Sequence, residues 1–167
     1  MHRLSLTAMT ACAALMLGTG IHAQQLAAPP MLDYGPNITL EQAMKAANAA
    51  LAESKKLNVL EGIAVVDTAG RLVYFLKMDN ARAIAVELAE HKARTAAMYK
   101  VPSKAYEDRI ASGGAGIGAL SLDNVTAAAG GIPIVVGGRI IGAIGVGGGP
   151  NGGIDSQAAQ AGVDALK

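Results

Sequence analysis

The longest apolar pattern in the chain runs from Gly130 to Gly149, where two β-branched runs, Ile132 to Val136 and Arg139 to Val146, flank Gly137-Gly138. Two residues that both accept positive φ are what a type I′ turn requires, so a tight β-hairpin is predicted. Alternation puts Ile140, Gly142, Ile144 and Val146 on one face and Ile141, Ala143 and Gly145 on the other. Neither face is made for water, which predicts cover on both sides, with Gly142 and Gly145 where a neighbouring backbone comes close.

A Thr39-x-x-Gln42 capping box opens a helix over 40–56, with Leu40, Ala43, Met44, Ala47 and Leu51 as its inward stripe. Gly62 to Asp67 and Leu72 to Met78 read as a second hairpin, turning through Thr68-Ala69-Gly70-Arg71. Asp67 and Asp79 are turn formers there, and Asp79 or Asn80 is the expected cap of an Ala-rich helix over 83–100, stopped by Pro102. Ser103 caps a short helix to about Ile110. Ser112 to Gly118 reads as a mobile connection; its Gly114-x-Gly116-x-x-Ala119 follows a helix instead of a strand, which excludes a dinucleotide fingerprint. Val125 to Ala128 is expected as a further edge strand, and Ile154 to Leu166 as a closing helix with Ala158, Ala161, Ala165 and Leu166 inward.

Met1-His2-Arg3, an apolar stretch from Leu4 to Gly20 and a small residue at Ala23 have the form of a secretory leader, with cleavage expected after Ala23. Residues 24–37, with Pro29-Pro30 and Pro36, read as an extended arm, and residues 38–167 as one domain with no further membrane span. The leader would take Cys12 with it, the sole cysteine, so thiolate metal sites and cysteine nucleophiles are excluded from the exported chain. It would also take Arg3, so that the 14 Lys and Arg become 13 against 13 Asp and Glu. A neutral chain with no Trp, one Phe and four Tyr lacks both the charge and the stacking platforms of a nucleic-acid binder.

Of the three histidines only His91 lies beyond the leader. On the long helix Ala85, Leu88, Ala89, Ala93 and Ala96 share the inward face, and Glu87, Glu90, His91, Arg94 and Met98 form a second stripe. Glu87, Glu90 and His91, at i, i+3 and i+4, either approach one metal cation or form ordinary pairs on a solvated face. Lys92 points into the Ala face, where it either snorkels to a polar rim or holds an anionic group over the sheet, with the Thr95 hydroxyl beside it. No Gly-x-Ser-x-Gly elbow accompanies His91, and no catalytic residue is assigned.

Five ordered motifs carry a family resemblance: Ile63-Ala64-Val65-Val66-Asp67-x-x-Gly70, Lys77-Met78-Asp79-Asn80-Ala81, Lys92-Ala93-Arg94-Thr95-Ala96, Gly130-Gly131-Ile132-Pro133-Ile134 and Ile141-Gly142-Ala143-Ile144-Gly145-Val146. Over residues 38–167 the chain resembles the GlcG/HbpS haem-binding family. Lys77 replaces the family's usual arginine, and Gly147 its common serine. The resemblance implies a profilin-like α/β (α+β) domain, an antiparallel sheet of about five strands flanked by helices, assembled into dimers or larger homo-oligomers. Within that family, Lys92 and Thr95 are the helix residues that match securely. Secreted relatives bind haem and some take up iron; others occur beside glycolate oxidation or cobalamin-associated functions. Two readings follow. In the first, a secreted or periplasmic accessory protein binds haem with His91 as axial ligand and Arg94, Lys92 or Lys100 near the propionates. In the second, an enzyme or binder of small acids encloses a carboxylate between Lys92, Thr95 and the glycine loops 113–118 and 147–153.

Overall fold

The computed structural model describes residues 31–167; the expected leader and residues 24–30 of the arm lie outside the described residues. The chain folds as a single α+β domain around an antiparallel sheet, with strands β1 (Gly62–Val66), β2 (Leu72–Lys77), β3 (Gly131–Val136) and β4 (Arg139–Gly147) in the order β2-β1-β4-β3. Both predicted hairpins are present. Gly137 and Gly138 turn with φ of 57° and 76°, and Asp67 organises the other turn by accepting the Ala69 and Arg71 amides, each at 2.9 Å.

Among the described residues the sheet has four strands instead of about five, because the backbone of 125–128 bonds to side chains and not to a neighbouring strand. The Thr126 amide donates to Thr95 Oγ1 at 2.8 Å, and Ser103 Oγ donates to the Ala128 carbonyl at 2.7 Å. Ser103 also accepts the Gly131 amide, and so staples the segment to β3 in place of the helix cap expected of it. The arm strengthens the sheet from another side. Gly35 donates to the Ile140 carbonyl at 2.8 Å and Ile140 to the Asp33 carbonyl at 2.9 Å, strapping residues 33–35 along the start of β4.

Period-2 alternation in β1 and β4 supplies two cores. Ile63, Val65, Ile144 and Val146 face helices α1 (Leu40–Lys56) and α4 (Gly152–Asp164); Ala64, Val66 and Ala143 face α2 (Ala85–Tyr99). Thr39 and Gln42 close the predicted box on α1, yet its buried face is Ala43, Ala46, Ala47, Ala50 and Ser54, while Leu40 and Met44 are exposed. Close packing selects the small residues: a Cβ on Gly162 of α4 would meet the Ala46 carbonyl oxygen at 2.9 Å. In α4 the buried positions are Asp155, Ala158, Ala159, Gly162 and Val163, so it faces inward differently from the expected stripe.

The same logic holds α2 to the sheet. A Cβ on Gly145 would lie 2.5 Å from the Ala93 nitrogen, so only glycine lets the Ala face of α2 reach β4. At Gly147 a Cβ would sit 2.7 Å from the Leu88 Cβ, so α2 as it packs here leaves no room for a serine at that position. No side chain of Asp79 or Asn80 caps α2, and Lys100 ends it in a left-handed turn two residues before Pro102. Helix α3 (Lys104–Ala111) leads into a 3-10 helical run, Gly114–Ser121, where an unstructured connection was expected. Among the described residues no helix is long and apolar enough to cross a membrane.

Candidate functional site

Helix α2 places candidate residues on opposite sides. On its outer stripe His91 is exposed, and with Arg94 it lines a cleft of about 250 Å³ closed by Asn124, Val125 and Thr126. That wall is held by Thr95, whose hydroxyl reaches the carbonyls of His91 and Asn124, both at 2.9 Å, and accepts the Thr126 amide. Tyr99 adds a bond from its hydroxyl to the Asp123 carbonyl at 2.6 Å, while Asn124 turns the chain at a φ of 59°. Arg94 Nε lies 3.4 Å from the Gly70 carbonyl, which ties the guanidinium to the β1–β2 turn beneath it.

The structure therefore joins His91 and Arg94, makes Thr95 a positioning residue behind the cleft wall, and sends Lys92 elsewhere. Lys92 neither snorkels to the rim nor meets an external anion: its ammonium sits 2.5 Å from Asp155 Oδ2 and 3.2 Å from the Val146 carbonyl. Lys100 is engaged by the arm, donating to the Leu32 carbonyl at 2.9 Å and lying 4.2 Å from the centre of the Tyr34 ring. Glu87 is exposed and Glu90 half-buried, but among the described residues no group of three His, Cys, Asp or Glu converges as a metal ion needs. Common helical spacing brings Glu87, Glu90 and His91 to one stripe without bringing their donor atoms to one point.

Residues that the sequence pattern did not single out occupy the opposite side of α2. Asp155, in the first turn of α4, holds Lys92 and accepts the Gly149 amide at 2.9 Å. Next to it Glu61, fully buried, accepts a hydrogen bond from Ser54 through Oε2. Burial pushes the Glu61 carboxyl up to about 7; the hydrogen bond and charge of Asp155 add to this, and the Ser54 bond and the Lys92 charge oppose it. One signal for this cluster was present in the sequence: a lysine on a helix's buried face calls for a buried acid. Which acid answers it depends on the approach of α4.

A larger cleft, about 370 Å³, opens between Leu51 and Lys55 of α1, Leu60, and Leu76, Lys77, Met78 and Asp79 at the end of β2. It contains none of the candidate ligands.

The chain is 38% identical over 111 residues to protein GlcG of Escherichia coli K12, covering 65% of this chain and 81% of that protein. Its fold matches the crystal structure of a double mutant of Streptomyces reticuli HbpS with a TM-score of 0.72 at 30% identity, over 96% of this chain and 99% of the other. The PduOC:heme complex matches with a TM-score of 0.70 at 26% identity, over 78% of this chain and 96% of the other. Residues 38–164 match the family described as haem degrading protein HbpS-like, a span of well over half the chain, and the chain belongs to that family.

Proposed function

We propose that this chain is an exported haem-binding protein in which His91 ligates the iron and Arg94 receives a propionate. The observation that carries the reading is the pairing of an exposed imidazole with a guanidinium in one cleft of α2. Imidazole is an axial ligand of haem iron, and a guanidinium is matched to a carboxylate in shape and charge. The similarity to a protein solved as a haem complex supports it.

The donor set fits haem, and the volume limits how. A cleft of about 250 Å³ is below the range of pockets that enclose a drug-sized ligand, so it accommodates an edge of the macrocycle. Haem would supply the iron's redox and ligand-binding chemistry; the chain would orient it through His91, pair one carboxylate with Arg94 and hold the wall through Thr95. Homo-oligomers, as the resemblance implies, would cover the remainder with a second copy, which light scattering with and without haemin tests. The acid-binding alternative required Lys92 and Thr95 to face a ligand, and both are engaged inside the protein.

Titration of the mature chain with haemin should give a shifted Soret band that is lost in His91→Ala and weakened in Arg94→Ala. Glu87→Gln should leave the band unchanged, since iron enters here within the porphyrin. An unaltered spectrum in His91→Ala would remove His91 from the site. Mass spectrometry of the chain recovered from the periplasm or medium should find Gln24 at its N-terminus; an intact Met1 would end the proposal of export.

A further inference from the structure

Glu61 holds an oxygen without a partner. Its Oε2 accepts from Ser54, while its buried Oε1 meets no donor among the described residues. The neighbour of Oε1 is another carboxyl: a Cβ on Gly149 would lie 2.8 Å from it and would also strike Asp155 Oδ1. Asp155 is fully engaged, Oδ1 by the Gly149 amide and Oδ2 by the Lys92 ammonium. Glu61, Lys92 and Asp155 are 0%, 2% and 4% exposed, so two carboxyls and one ammonium share a site closed to water. With both acids ionised the cluster would carry an unmatched buried charge, which proteins avoid by neutralising a group. A proton on Glu61 Oε1 removes the excess charge and gives the orphaned oxygen a hydrogen to donate towards Asp155.

We infer that Glu61 holds a proton directed at Asp155 above Lys92, and that this proton is a pH-operated latch on the glycine turn 147–149 and the first turn of α4. While the proton is present, Ser54 of α1, Glu61 at the head of β1, Lys92 of α2 and Asp155 of α4 are drawn onto one point. When it leaves, two carboxylates repel each other across Gly149. The polar groups facing Glu61 are Ser54, which is neutral, Lys92 and Asp155. Arg82, from the segment before α2, donates to the carbonyls of Gly148 and Gly149 and ties the turn independently of Glu61. Burial has already moved Glu61 up to about 7, which sets the latch near neutrality. The latch does not depend on haem.

Carbon-detected NMR of the Glu61 carboxyl, from about pH 5 to about pH 9, tests the proton directly in the wild-type chain. The expected midpoint lies near 7, well above an ordinary glutamate. Across that midpoint the opening constant of the Gly149 amide, measured by hydrogen exchange and corrected for base catalysis, should rise about tenfold or more. Glu61→Gln, which donates to Asp155 without titrating, should keep Gly149 protected throughout. Three results would overturn the inference: an ordinary Glu61 midpoint, equal opening on both sides of it, or the same loss of protection in Glu61→Gln. If that variant does not fold, the wild-type measurements decide alone.

Discussion

The ammonium of Lys92 and the carboxylate of Asp155 are 3% and 5% exposed, and the value of such a pair shows in what remains when one member is removed. Lys92→Met would leave Asp155 buried beside Glu61 with no counter-charge. By the behaviour of buried ion pairs, the variant should lose about 3–5 kcal/mol of stability in urea denaturation. At about pH 5, where Glu61 holds its proton, Lys92→Met combined with Asp155→Leu should recover much of that loss, because no buried charge is then left unmatched. A single variant within about 0.5 kcal/mol of wild type would show that Asp155 finds another cation or takes up a proton at no cost. That Lys92 was unusual was legible from its place on the Ala face. Its partner was not, because Asp155 lies 63 residues away and nothing in its own helix distinguishes it from a solvated first-turn aspartate.

The contact between β4 and α2 depends on glycines, and two of them separate steric need from backbone need. Gly145→Ala would drive a methyl into the backbone of Ala89 and Ala93 and push the helix off the sheet, at an expected cost of about 3 kcal/mol. Gly138→Ala meets no neighbour and has only its positive φ to oppose it, at about 1 kcal/mol. Thermal midpoints of the two variants should therefore order clearly, Gly145→Ala the lower; the reverse order would mean that α2 is free to shift. Hairpins and helix positions were legible because turn chemistry and period are local. The inward faces of α1 and α4 were not: a periodic stripe shows which residues are apolar, whereas the distance to the neighbouring helix decides whether Leu40 or Ala46 is the one that fits.

For the folded domain as a unit, Glu61 sets a direction for stability against pH. Its carboxyl is raised from 4.5 to about 7 on folding, so between those values the native state holds a proton that the unfolded chain has released. Its stabilising share is complete below the unfolded value and is lost as pH rises through the folded one. The half-buried carboxyl of Glu53 and the exposed one of Asp164 act oppositely: hydrogen bonds from Lys56 and Lys167 lower them, and their small share disappears only in acid. Urea midpoints should therefore fall from about pH 5 to about pH 8, and Glu61→Gln should flatten that slope. A wild-type profile that is flat or rising over this range would contradict the raised carboxyl.

Local order in this chain was written in its residues: the Gly137-Gly138 turn, the Thr39–Gln42 cap, the Ala-rich course of α2 and the family's motifs each depend on neighbours a few positions apart. Long-range approach settled the rest. It set Lys92 on Asp155, put a second carboxyl at Glu61 beside them, and folded residues 123–126 against α2 to make a cleft for His91 and Arg94. Burial and electrostatics act on distances through space, and those distances exist only once the helices are docked on the sheet.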